Sequence, residues 1–150
     1  MNLLQEQEVF ENDWSSNSKK VARSGFDALN QHDLAKSMSG YAEDATWTFP
    51  GNVPISGETK GKKAIEDALA KWMEQFPKID FTVKVFVSNI FALGATNNIA
   101  VEWDIAEANR EGKEFHNSGV TIIRVKGGKV VAVREYVFDT DVMKEAWGKH

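Results

Sequence analysis

The chain has no cysteine, and His32, His116 and the terminal His150 are its only imidazoles, so acid–base chemistry falls to its carboxylates. Thiolate nucleophiles, disulfides and Cys-ligated zinc are excluded outright. The three histidines lie far apart with no ligand-like spacing, and neither a metal nor a cofactor is expected. Among the carboxylates Glu135 stands out. In a strand over 129–138, Val131, Val133, Glu135 and Val137 share one face, because side chains alternate. A carboxyl in a row of valines, once buried, has its pKa raised towards the neutral acid, which is how a general acid/base is prepared. The plainer role is a structural Glu, hydrogen-bonded to a neighbour or ion-paired at the sheet rim. Asn117 and Thr121 share one face of the preceding strand and have the groups to hydrogen-bond a ligand carbonyl. His116 falls on the opposite face, unless a bulge before Thr121 turns it inward. His32, beside Asp33 at a helix–helix turn, is expected to be exposed.

The second unusual feature is aromatic, with 5 Trp and 9 Phe in 150 residues. Trp47 and Phe49 share one face of a short strand over 45–49. Trp72 belongs to a helical stripe of Ala64, Ile65, Ala68, Leu69, Trp72, Met73 and Phe76, which Pro77 ends. Trp103 alternates with Val101 and Ile105 along another strand. Such spacings serve an ordinary core or the wall of a ligand pocket.

These residues need elements to hold them. Two helices are predicted before the first strand, one over 18–31 carrying Val21, Ala22, Phe26 and Leu29. The other is capped by Asp33 and buries Leu34, Met38 and Tyr41. After the Trp72 helix the period changes to two, giving strands over 81–88, 99–106, 115–126 and 129–138. The turns between them are at 94–98, 109–113 and Gly127-Gly128, and bulges are expected near Asn89 and Ala106. A last helix starts near Thr140. Helices followed by an antiparallel meander make an α+β domain with helices on one face of a curved sheet. Residues 1–16 read as an N-terminal arm or short helix, and 17–150 as the single domain.

A net charge of −4 without long runs of one sign argues against nucleic acid. Residues 1–13 are acidic and amphipathic, unlike a signal peptide, and no stretch approaches a membrane span. A cytoplasmic location is the expectation.

The segment Tyr41-Ala42-Glu43-Asp44-Ala45-Thr46-Trp47-Thr48-Phe49-Pro50, followed by Ile55-Ser56-Gly57 and Gly61-Lys62-Lys63-Ala64-Ile65, resembles the SnoaL-like and ketosteroid-isomerase-like branch of the nuclear transport factor 2 superfamily. Phe115-His116-Asn117, Ile123-Arg124-Val125, Gly128-Lys129-Val130-Val131 and Arg134-Glu135-Tyr136 extend the likeness over roughly 17–147. The resemblance implies a cone-shaped, curved antiparallel sheet, cystatin-like, with N-terminal helices on its concave face and one deep, mostly apolar pocket. It also implies that Thr121 points into the cone, and with it Asn117, Val133, Glu135 and Val137. Tyr41 matches a family tyrosine that borders the pocket. Ketosteroid isomerases place their base and two oxyanion donors where this chain has Phe49, Thr121 and Gly25, so that mechanism is not expected here. The expectation is therefore a pocket for a small apolar or aromatic molecule. Glu135 would be catalytic in a lyase, isomerase or cyclase acting on a carbonyl compound. Trp47, Phe49, Tyr41, Trp72, Trp103, Asn117, Thr121, Val133 and Val137 would contact the ligand. The alternative is a non-catalytic ligand-binding or dimerisation module. Family members pair through the convex side of the sheet, which predicts a homodimer using Val120, Ile122, Tyr136 and Phe138. Asp139 lies one residue further from the tyrosine than its family counterpart, and a helix cap is its simpler role.

Overall fold

The computed structural model describes residues 17–88 and 96–148. The N-terminal arm over 1–16 and the bulge expected near Asn89 lie outside the described residues. Two helices come first, α1 (Asn17–Asn30) and α2 (Leu34–Ser39), then β1 (Tyr41–Phe49), β2 (Gly57–Lys60) and α3 (Lys62–Gln75). Four strands follow, β3 (Lys78–Ser88), β4 (Thr96–Ala108), β5 (Glu114–Lys126) and β6 (Lys129–Val137), and then α4 (Thr140–Trp147). The strands form one sheet in the order β2-β1-β6-β5-β4-β3. All neighbours are antiparallel except β1 and β6, which run parallel.

The core lies between the helices and one face of this sheet. Ile99, Val101, Trp103 and Ile105 of β4 are all buried, as are Thr121, Ile123 and Val125 of β5. Ile65, Leu69, Trp72 and Phe76 of the α3 stripe meet them, as their helical spacing requires. α1 is fixed to the sheet edge by Asn30. Its side-chain amide donates to the Phe81 carbonyl at 3.0 Å and accepts the Phe81 N–H at 2.7 Å, standing in for a missing strand partner. Asp33 caps α2 by accepting the Lys36 N–H. Gly127 and Gly128 both adopt positive φ, the conformation a two-residue hairpin needs.

Several expectations change. Tyr41 opens β1 rather than closing α2, and β2 is an additional short strand with few apolar residues. His32 is half-buried, not exposed. It sits at φ 54 with Nε2 2.8 Å from the Phe76 carbonyl oxygen. No register shift occurs near Ala106, where β4 and β5 pair continuously; β3 instead slips between Val83 and Val85. β6 carries an extra residue at Val131, since Val125 pairs with Val130 and Arg124 with Ala132. The bulge makes Val130 the buried residue in place of Val131, while Val133 and Glu135 keep their expected face. No described helix is long and apolar enough to cross a membrane.

Candidate functional site

The concave face of the sheet and the helices enclose a cavity of about 330 Å³. β1 contributes Tyr41, Trp47 and Phe49, β4 contributes Trp103 and Ile105, and β5 contributes Asn117 and Thr121. β6 supplies Val133, Glu135 and Val137, and α3 supplies Trp72. The fold thus brings all ten sequence-selected residues to one cavity. His116 is exposed on the other face of β5.

Within the cavity the aromatic rings form a graded wall. Phe81 meets Phe26 and Trp103 at near-perpendicular angles, both at 5.2 Å, and Trp72 at 5.9 Å and 66°. These are the separations at which aromatic quadrupoles attract. Trp47 and Phe49 sit 5.3 Å apart on β1. Trp103 lies over Gly119, where an added Cβ would stand 2.5 Å from the indole and 2.3 Å from the Tyr136 carbonyl oxygen. Only a residue without a side chain lets the ring lie flat enough across β5 for its Nε1 to reach Thr121.

Glu135 is directly paired with Thr121 across β5 and β6. Thr121 Oγ1 donates to Glu135 Oε2 at 2.5 Å and accepts the Trp103 indole N–H at 2.8 Å. Trp47 Nε1 donates to Glu135 Oε1 at 3.3 Å. Burial pushes the Glu135 carboxyl up to about 7 from its ordinary 4.5, although both donors favour the anion and pull the other way. The carboxyl is thus balanced between its two forms near neutrality. Each oxygen has one protein donor and keeps a second lone pair for the cavity contents. Tyr41 borders the same space. Burial first, and then the negative charge of Glu135, hold its phenol well above the usual range, so it remains a neutral donor.

Other polar candidates are already engaged. Asn117 donates to the Asp139 carbonyl at 2.7 Å and accepts the Asp139 N–H at 3.1 Å, clamping the start of α4 to β5. Asp139 is the N-cap of α4, accepting from Asp141 and Val142. At the other end, Gln75 and Asn109 both donate to the Ala146 carbonyl, so α4 is pinned where it closes the cavity with Met143 and Trp147.

Phe81, Met143, Trp147 and the α1 residues Ala22, Phe26 and Leu29 also line the cavity and were not expected to. Nor was Glu107 expected there. That residue continues the inward row Val101, Trp103, Ile105 by alternation, and burial pushes its carboxyl up to about 7 against a hydrogen bond from Trp72. Among the described residues no group of three His, Asp or Glu side chains is placed to hold a metal ion.

A model of the SnoaL-like domain matches residues 22–133, which spans every strand from β1 to the middle of β6. The chain belongs to the SnoaL-like family. Solved structures agree on the fold. Bal32a, from a soil-derived mobile gene cassette, superposes with a TM-score of 0.77 at 20% identity, over 87% of this chain and 96% of its own. A nuclear transport factor 2-like protein of unknown function from Burkholderia pseudomallei gives 0.76 at 18%, over 89% and 99%. A Xanthomonas campestris protein of unknown function with a cystatin-like fold gives 0.71 at 26%, over 89% and 100%. In this SnoaL-like chain Phe49, Thr121 and Gly25 do line the cavity, but none of them is an acid or a phenol. The cavity carboxyl is instead Glu135, directly across the strands from Thr121.

Proposed function

We propose that this protein binds a small apolar or aromatic carbonyl compound in the cavity and moves a proton on it, with Glu135 as the acid/base group. The observation that carries this reading is a carboxyl facing an aromatic cavity, held by two donors yet pushed up to about 7 by burial. A proton-transfer group works best when its pKa lies near the working pH.

The chemistry follows from what each side chain has free. Glu135 as the anion takes a proton from the carbon next to the carbonyl. The C–H electron pair becomes a carbon–carbon π bond and the carbonyl π pair moves onto oxygen, giving an enolate. Asn117 and Thr121 already have protein partners, which leaves the neutral phenol of Tyr41 to hydrogen-bond the developing oxyanion. The two groups reinforce one another. Charge on Glu135 raises the Tyr41 pKa, so neutralising Glu135 makes Tyr41 a stronger donor as the oxyanion forms. Returning the proton to another carbon is isomerisation, and losing a leaving group is a lyase reaction. Attack of the enolate carbon on a second carbonyl closes a ring.

Deuterium exchange into 2-tetralone tests this without a known substrate. The wild-type protein should accelerate exchange next to the carbonyl, read by proton NMR in D₂O. Glu135→Gln should lose on the order of 10²-fold or more of that acceleration, and Tyr41→Phe a comparable factor. Tetralone that binds but exchanges equally fast with wild type and Glu135→Gln would leave a non-catalytic binding module.

A second reading concerns assembly. Tyr136 is 49% and Phe138 69% exposed on the side of the sheet away from the cavity. We propose that this face pairs two copies of the chain, with Val120 and Ile122 beneath the two aromatics.

A further inference from the structure

We propose that Glu107 is a second polar contact for the occupant of the cavity, so that the ligand is an elongated, flat apolar molecule with a hydrogen-bonding group at each end. The inference rests on the cavity being a ligand site, as proposed above.

Glu107 lies on the inward row of β4 and lines the same cavity as Glu135, yet it is remote from it along the sheet. Its partner across the strands is Phe115, whereas the partner of Glu135 is Thr121. Six residues of β5 separate those stations, about 20 Å of strand at roughly 3.3 Å per residue. The two carboxyls therefore cannot share a proton or grip one atom. Between them stand Trp103, laid over Gly119, and Phe81, edge-on to Trp103. That wall offers a flat apolar ligand a face to lie against, and Asn117, the polar cavity residue of β5 between the two stations, is engaged with Asp139.

Both ends are built alike. Each carboxyl has a tryptophan as a donor, Trp47 for Glu135 and Trp72 for Glu107, and each is kept close to half-ionised at neutral pH by burial. A carboxyl in that state accepts from a ligand hydroxyl or donates to a ligand carbonyl with little cost. A purely structural tether between α3 and β4 needs only one acceptor for the Trp72 N–H. Glu107 keeps surface beyond that bond, on the cavity side.

The test compares 4-hydroxy-p-terphenyl with 4,4″-dihydroxy-p-terphenyl, whose oxygens stand about 14 Å apart and with a hydrogen bond of about 2.8 Å at each end span the two stations, titrated by tryptophan fluorescence and calorimetry. Wild type should bind the two-ended probe roughly tenfold more tightly, the scale of one hydrogen bond to a charged group. Glu107→Met should abolish the difference in affinity between the two-ended and the one-ended probe. Glu107→Gln, which still hydrogen-bonds, should retain most of the preference. A preference that survives Glu107→Met intact would overturn the inference. A crystal structure of the wild-type complex reads the same contact without a substitution. A probe oxygen on Glu107 supports the inference, and both oxygens remote from it would overturn it. Failure of both probes to bind wild type up to their solubility limit would remove the ligand-site reading and this inference together. Equal binding of both, insensitive to Glu107, would remove this inference alone.

Discussion

Thr121 is the donor that couples the aromatic wall to the acid. Its hydroxyl accepts from Trp103 and donates to Glu135, so its single proton is committed and the Glu135 oxygen receives it at 2.5 Å. Thr121→Val removes a donor to the charged form of Glu135 and leaves the Trp103 N–H buried without an acceptor. The Glu135 pKa should rise above its value of about 7, moving the acidic limb of the tetralone exchange profile to higher pH. Stability should fall by about 1–3 kcal/mol, the cost of an unsatisfied buried donor. Thr121→Ser keeps the hydroxyl and should restore both. An unmoved pH profile in a folded Thr121→Val protein would show that the hydroxyl does not tune the acid.

Glu135 and Glu107 also make folding depend on pH in an uncommon direction. Both carboxyls have folded pKa values of about 7 against an ordinary 4.5. Between those values the unfolded chain has released protons that the folded chain retains, so stability falls as pH rises through the window. A tenfold difference in proton affinity between folded and unfolded chain is worth at most about 1.4 kcal/mol, reduced here because both side chains keep some exposure to the cavity. Asp104 works the other way. Hydrogen bonds from Lys84 and Ser118 hold its pKa down, and that contribution is lost as pH falls through the depressed folded value. The comparison that isolates the pair is thermal unfolding of wild type and the Glu107→Gln, Glu135→Gln double variant from pH 5 to 8. Wild type should lose stability relative to the variant as pH rises. Parallel curves would mean that neither carboxyl is held protonated.

Gly119 should be irreplaceable on packing grounds alone. An alanine Cβ there would meet the Tyr136 carbonyl oxygen at 2.3 Å and the Trp103 ring at 2.5 Å, and the first of these is backbone that cannot swing aside. Gly119→Ala should cost about 1–3 kcal/mol and displace Trp103, read as a fall in Tm with a shift in tryptophan emission. A variant as stable as wild type, with unchanged emission, would mean that the strands part more easily than their register implies.

How far the sequence discloses this site depends on the physics at each position. Strict alternation carries Val101, Trp103 and Ile105 inward without ambiguity, and the same rule carries Glu107 inward one step further. That step is easily missed because Glu107 stands at the edge of a turn-prone segment, where polar residues are expected. The bulge at Val131 leaves no such trace. Val130 and Val131 are chemically identical, so only the pairing reveals which one is buried. β2 is hidden for another reason: Gly57, Glu58, Thr59 and Lys60 form an edge strand whose pairing with β1 owes nothing to apolar patterning. His32 reads as a surface residue from its neighbours, yet its ring reaches the Phe76 carbonyl 44 positions away. Glu135 is legible because a carboxyl among valines violates the pattern around it. Its donors Trp47 and Thr121 come from separate strands, and the fold alone brings all three together.

Tyr136 pairs with Val120 across the strands, and Phe138 continues beyond the end of β6 with its N–H on the Ser118 carbonyl. Both rings stand on the opposite side of the sheet from Glu135, and each exposes about half or more of its surface. Large aromatics are costly to leave in water, and a specific protein interface needs on the order of 1,000 Å² of contact. Two copies packed face to face would bury these rings with Val120 and Ile122 beneath them. Sedimentation of the wild-type protein should therefore give a dimer from micromolar concentrations upward. Tyr136→Lys with Phe138→Lys should give a monomer, because like charges would then meet at the centre of the contact. The same double variant should keep tetralone exchange, since neither ring reaches the cavity. A wild-type protein that sediments as a monomer across that range would exclude pairing through this face.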